Sequence, residues 1–424
     1  MLTRIVRAHY GWRIALALAV TETASYGVLY YAFAVFLAPM EVELGWSRAE
    51  LTGAFSLSFL VMAALAYPVG AWVDRHGPRA LMTAGSIGAS LLVIAWSQVE
   101  RLSDLYLIWA GIGVCAAAVL YDPAFAAIAQ WFDTRRNTAL TIVTFAAGFA
   151  STIFLPLSHA LLQAWGWRGA VFGLGVILAG ITIPLHVLVL RQRPNRPGAR
   201  VGAGRVGPRV PHVDTLPGVG FEQALSQRLF WLLTLGFGLA ALSASAIRLH
   251  FIPVLTAAGM DPGLAATATG MIGVTQVLGR LLFAPLERWF PGRQLLVGIF
   301  GVQSLATALL LMGQTTLPAV GFIALFGAAQ GAATLARPAI LAEVYGAANY
   351  GRISSVMSML LTLTSTAAPW AASLIYDAQQ SYGLVLGLVA GLSLAATATL
   401  WLARRVPGPA RDETTGFTSD PTGN

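Results

Sequence analysis

The chain has 424 residues, of which 57% are hydrophobic and 10% charged, and its formal net charge of +8 rests on Arg alone, since no Lys occurs. So little polar surface cannot cover a soluble globule of this length, which leaves an integral membrane protein. The single Cys115 leaves no disulfide to form, and no metal-ligand, hydrolase or dehydrogenase constellation is present, so neither an enzyme nor a cofactor or metal is expected.

Arg4, Arg7 and Arg13 precede the first apolar run, which lacks the small-residue cleavage site of a secretory signal and should remain as a membrane segment. Windows of about 20 apolar residues, enough to cross roughly 30 Å of hydrocarbon as helices, recur along the chain. They fall near 13–39, 50–73, 79–98, 104–129, 138–163, 168–190, 229–256, 264–286, 293–313, 317–342, 353–376 and 382–403. The expected fold is all-α: twelve transmembrane helices in two six-helix bundles. The domains run 1–190 for the first bundle, 191–228 for a polar Arg-, Pro- and Gly-rich cytoplasmic linker, 229–405 for the second bundle and 406–424 for a disordered tail.

A charge at mid-bilayer costs at least about 2.5–3.5 kcal/mol on insertion scales, so each intramembrane charge is a functional candidate. In segment 1, Glu22 is followed one turn on by Tyr26 and another turn on by Tyr30, a stripe that would wall a pathway. Glu22 is the candidate for proton coupling, unless an Arg holds it as a structural pair. Gly45-Trp46-Ser47 opens segment 2, with Ser47 and Glu50 spaced as a capping box. Between segments 2 and 3 stands Gly70-Ala-Trp-Val-Asp74-Arg75-His-Gly77-Pro-Arg79, a charged turn in which Gly77 permits a tight reversal. Asp122 in segment 4, before Pro123, is the second proton-coupling candidate, or closes a hydrogen-bond network at a helix break. His159 and His186 read as satisfied core histidines.

In the second half, Arg248 in segment 7 suits either a cavity or an ion pair with Glu22. Asp261-Pro262 opens segment 8 as Ser47 opens segment 2. Gln276 and Arg280 lie one turn apart on segment 8; a guanidinium there can hold a carboxylate through two parallel hydrogen bonds, or belong to the charged turn that follows. That turn, Leu286-Glu287-Arg288 with Gly292-Arg293, is a worn copy of the first. Arg337 in segment 10 faces a cavity or snorkels to the headgroups. Arg75, Arg79, Arg135, Arg136, Arg288, Arg293, Arg352, Arg404 and Arg405 fall on one side and only Arg48, Arg101 and Arg168 on the other, so both termini are expected in the cytoplasm.

Matching Gly-bearing charged turns in two halves of a twelve-segment chain resemble the major facilitator superfamily. Within it, Tyr10-Gly11-Trp12, Gly45-Trp46-Ser47, Trp131-Phe132 with Arg135-Arg136, and Ile375-Tyr376-Asp377 are similar to the monocarboxylate transporter and oxalate:formate antiporter branch. The resemblance implies a secondary transporter working by alternating access in a bacterial inner membrane, as a monomer. It also implies a conformational latch formed by Gly70, Asp74, Arg75, Gly77, Arg79, Glu287 and Arg288. The partners implied are the lipid bilayer and a small carboxylate, not nucleic acid; Arg280 falls where that branch places its anion-binding Arg, and the reading of the residues adds Arg248, Arg337, Gln276, Tyr26 and Tyr30 to the expected substrate site. Tyr10 and Gln276 depart from the branch, which carries acids there. The alternative reading is an efflux pump for hydrophobic drugs or metabolites.

Overall fold

The structure is a computed structural model that describes residues 2–132, 136–191, 219–313, 316–346 and 350–408. The first crossing is built of α1 (Leu2–Tyr26), a π turn (Gly27–Tyr31) and α2 (Phe33–Leu44). Then come α3 (Arg48–His76) and α4 (Pro78–Trp96), a fourth crossing shared by α5 (Leu102–Val119) and α6 (Tyr121–Trp131), and a fifth begun by α7 (Arg136–Ala147). The long α8 (Ala150–Leu188) completes the fifth and forms the sixth. The apolar run Thr138–Leu188 has 51 residues. That is about 75 Å of helix, too long for one crossing. It turns back at Gly166, whose φ of 67° and ψ of 174° only glycine holds without strain.

In the second half, α9 (Phe221–Ser226) is a short helix ahead of α10 (Arg228–Ala257). After these follow α11 (Pro262–Trp289), α12 (Gly292–Met312), α13 (Thr316–Tyr345), α14 (Tyr350–Thr366) with α15 (Ala368–Gln379), and α16 (Gly383–Ala403). Twelve crossings result, from 11 apolar runs of which one doubles back. The linker at 192–218 and the tail from 409 lie outside the described residues.

Three crossings are broken in the membrane, and the fourth crossing breaks beside Asp122-Pro123, where the sequence offers a helix break. Pro123 has no N–H to give the carbonyl of Val119, the last residue of α5, and Leu120 between α5 and α6 is extended. Pro369 likewise ends α14 at Thr366, and α15 starts afresh at Ala368. The fifth crossing breaks at Gly148 and Phe149 without a proline. The caps expected on α3 and α11 are present: Ser47 and Glu50 bond reciprocally, and Asp261 accepts from the Leu264 N–H at 2.9 Å.

Helices α1 to α8 pack among themselves, as do α10 to α16; the two bundles meet where α8 faces α11, α3 faces α14 and α15, and α2 faces α10. Lipid supplies no hydrophobic drive between membrane helices, so close backbone approach through small residues has to serve. On α13, Gly327 lies against Thr275 and Gly331 against the Gln276 carbonyl of α11, while Gly279 of α11 meets Ala328. A Cβ on Gly331 would overlap that carbonyl, whereas one on Gly298 meets nothing within 4 Å. Gly331→Val should therefore lose about 1–3 kcal/mol and lower Tm in detergent, with Gly298→Val unchanged. Equal melting of the two variants would contradict the α11–α13 register.

Candidate functional site

Between the bundles lies a cavity of about 220 Å³. Its wall from the first bundle is aromatic and apolar: Tyr30, Tyr31, Phe55, Phe59 and Met62, with Ser151 at the start of α8. The second bundle contributes Arg248 and Ser245 from α10, Thr269, Ile272 and Gln276 from one face of α11, and Thr362, Ser365, Thr366 and Pro369 around the break in segment 11. Both broken helices that end here, α8 and α15, present their first turns to the cavity. The positive ends of two helix dipoles therefore border the same space as a guanidinium.

The π turn sets the aromatic wall. It adds a residue to the turn, so Tyr30 and Tyr31 both reach the cavity, with ring centroids 4.9 Å apart, while Tyr26 turns away to pack, tilted, against Tyr121 at 4.7 Å. Gly27 lets Phe154 of α8 pack directly on the π turn, because any Cβ there would enter that ring. A plain helical repeat placed Tyr26 and Tyr30 on one face and could not reveal this shift.

The six substrate-binding candidates separate. Arg248, Gln276 and Tyr30 line the cavity, and Arg248 Nη1 donates to the Tyr30 hydroxyl across the bundle interface at 2.8 Å. Arg280 continues the Thr269, Ile272 and Gln276 face of α11 but is not part of the cavity wall. Its Nη1 donates to the Thr144 carbonyl at 2.6 Å, as a second donor beside the Gly148 N–H that closes the last turn of α7 at 3.1 Å. Its Nε has no hydrogen-bond partner among the described residues. Arg337 lines a separate cavity within the second bundle.

Glu22 is completely buried, and neither carboxylate oxygen accepts a hydrogen bond from a described residue. The ion pairs among the described residues are Arg48–Glu41 and Arg168–Glu43, so Arg248 forms none with Glu22. Asp122, in the first turn of α6, is close enough to act on Glu22 electrostatically. His186 is satisfied by the Ser86 hydroxyl at 2.7 Å.

One end of the cavity is closed by contacts that the sequence reading did not single out. Arg48, at the start of α3, donates to Glu41 at 2.7 Å and to the Tyr382 hydroxyl at 2.5 Å, and stacks over the Tyr376 ring at 3.9 Å. Asp377 of the second bundle accepts the Ala49 N–H at 2.9 Å, capping a helix of the first. Beneath them Thr52 bonds Ser373 at 2.8 Å, Ser373 reaches His250 at 3.2 Å, and the other His250 ring nitrogen reaches Tyr382 at 3.1 Å. The Pro369 carbonyl, 3.0 Å from His250 Nε2, can only accept, so Nε2 carries the ring proton and Nδ1 accepts from the Tyr382 hydroxyl. The signal was available: Gly45-Trp46-Ser47 and Ile375-Tyr376-Asp377, which carry the branch resemblance, meet at this end.

At the opposite end, Gly77 adopts φ 79° in the tight turn read from the sequence. Arg75, Arg79, Glu287 and Arg288 are exposed and join neither ion pair seen among the described residues; the side chain of Asp74 lies outside them. Gly70 has open space around it. Tyr10 and Trp12 pack there on Trp131 and Phe132, with ring centroids 5.2 and 5.0 Å apart.

The chain is 24% identical over 370 residues to the uncharacterized MFS-type transporter YcxA of Bacillus subtilis (strain 168), covering 84% of this chain and 86% of that one. It is 25% identical over 382 residues to monocarboxylate transporter 13 of Rattus norvegicus, covering 89% and 81%. Among solved structures, a bacterial homolog of the human lysosomal transporter Spinster, in an inward-facing and unoccupied conformation, matches with a TM-score of 0.69 at 16% identity, covering 93% of this chain and 95% of that one. The model of the Major Facilitator Superfamily matches residues 19–326. With twelve crossings in two bundles around a central cavity, the chain belongs to the major facilitator superfamily and is a membrane transporter of a small-molecule substrate.

Proposed function

We propose that the cargo is a small organic anion of monocarboxylate type, held by Arg248. The observation that carries this reading is a guanidinium, set among hydroxyls and an amide of the second bundle, that faces an aromatic and apolar wall of the first across one cavity. A carboxylate replaces lost water with a charge-assisted hydrogen bond, and its carbon body takes the place of water against Phe55, Phe59 and Met62. Gln276 supplies an amide beside it, and the relatives named monocarboxylate transporters fit the same chemistry.

Sorting of Arg between loops puts both termini, the 191–228 linker and the 406–424 tail in the cytoplasm of a bacterial cell. The bundles 1–190 and 229–405 then rock about the cavity. With the Arg48 end closed, this is the inward-facing arrangement, and the turns from Gly70 to Arg79 and at Glu287-Arg288 would latch the other end when the cavity faces outward. The chain works as a monomer, because each copy encloses a whole site between its own bundles.

Proton coupling falls to Glu22, with Asp122 beside it. An uncompensated carboxylate at full burial costs far more than a neutral carboxyl, so Glu22 carries a proton in this arrangement and exchanges it in another. Tyr26, behind the cavity wall, lies between Glu22 and Tyr30, its ring centroid 6.2 Å from that of Tyr30, and the Tyr30 hydroxyl accepts from Arg248.

Purified protein in liposomes tests both parts with a panel of small carboxylates. Arg248→Gln should cut initial uptake at least about tenfold, the worth of one charge-assisted hydrogen bond, while Phe290→Ala, far from the cavity, should not. Undiminished uptake in Arg248→Gln would remove that residue from the site and favour an uncharged cargo. For the proton, wild-type uptake should rise when the external medium is acidified, because protonation of Glu22 accompanies the return of the loaded site. Glu22→Gln, fixed in the neutral form, should exchange anion for anion with no response to acidification; a retained pH response would place coupling elsewhere.

A further inference from the structure

We propose that the cavity around Arg337 is a second anion site, a carboxylate-binding station in series with the one at Arg248. It rests on the reading of the cargo as an anion held at Arg248. This second cavity, of about 230 Å³, lies inside the second bundle between α10, α12, α13 and α14. Three polar side chains, Gln330, Thr334 and Arg337, enter it from one face of α13 at helical spacing. Phe237 and Phe300, with ring centroids 5.4 Å apart and edge to face, form an apolar floor beside Leu361.

The Gln330 amide of this set is held in place. Gln303 is fully buried, gives its amide N–H to the Ala240 carbonyl at 3.2 Å and takes one from Gln330 at 3.3 Å, which fixes the Gln330 amide at the cavity wall. A stripe of this kind on a membrane helix serves no lipid contact, because lipid chains offer it no hydrogen bonds. It matches an anionic head on the guanidinium with an aryl or short alkyl body on the two phenylalanines.

The two cavities adjoin along α10. Ala241 lines the second, and Ser245 and Arg248, on the same face, line the first. Seven residues separate Ala241 from Arg248, a rise of about 10 Å. On α14, Leu361 belongs to one cavity and Thr362 to the other. Arg337 lies toward the linker end, away from the Arg48 closure. An anion leaving Arg248 in a low-dielectric surrounding gives up its counter-charge in one step unless another stands close by. A second guanidinium divides that step, as paired sites do in ion conduits.

Equilibrium binding of radiolabelled benzoate to the purified full-length chain in detergent tests this. The wild type should bind two equivalents, Arg337→Gln and Ala333→Phe one each, Arg248→Gln the other one, and the Arg248→Gln, Arg337→Gln pair none. Ala333→Phe fills the second cavity without touching a charge, and its retained Arg248-dependent site shows that the fold persists. A single wild-type site, abolished by Arg248→Gln and unchanged in both cavity variants, would overturn the second station while leaving the central site standing. Loss of both sites in Ala333→Phe would show one merged site and overturn the separation. Absence of saturable benzoate binding in the wild type would overturn the second station and the central reading together.

Discussion

The arrangement of this transporter depends on one guanidinium. Arg48 binds Glu41 of its own bundle, the Tyr382 hydroxyl of the other and the face of Tyr376, with only 12% of its side chain exposed. Shielded from water, such contacts are worth more than a surface ion pair. Charge-assisted hydrogen bonds and a cation–π contact together contribute on the order of 3 kcal/mol. In a two-state equilibrium that is a bias of roughly a hundredfold. It is large enough to hold this end of the two bundles together.

Beneath Arg48, backbone constraints turn closure into a site. Where Pro123 and Pro369 remove helical hydrogen bonds, amides and carbonyls are released in a region without water and must find other partners. Around the segment 11 break, the Ser365 and Thr366 hydroxyls return to the Thr362 carbonyl at 3.2 and 2.7 Å. At the end of α7, Arg280 adds a second donor to the Thr144 carbonyl, which already accepts the Gly148 N–H. The π turn at Gly27 swings two tyrosines into the cavity. Cavity and interface are therefore built from the same few departures from regular helix. Thr152 crosses that interface to the Gly270 carbonyl at 2.7 Å, so a shift of one bundle is felt at the cavity wall.

Much of the fold was legible in the sequence because membrane burial writes it in length and apolarity. The twelve windows, both helix caps and the Gly77 turn needed only local rules. The site was legible in part. Intramembrane charge marked Arg248, which does line the cavity, and equally marked Arg280 and Arg337, which do not line it. Charge reveals that a polar partner must exist but not whether it is cargo, a helix end or another cavity. The packing of the π turn was hidden because it depends on the fit of Gly27 to Phe154, which lies 127 positions away. The Arg48 closure was hidden for a related reason. An Arg in a short loop reads as a topological marker until Tyr376, Asp377 and Tyr382 arrive from the far end of the chain.

That closure can be measured directly. In a Cys115→Ser background, spin labels at the exposed Val42 and Gln379 report the separation of the two bundles at the Arg48 end by double electron–electron resonance. The wild-type protein should show one short, narrow distance distribution, and Arg48→Ala should add a distinctly longer population as the bundles part. An unchanged distribution in Arg48→Ala would contradict the assignment of Arg48 as the contact that holds this end closed.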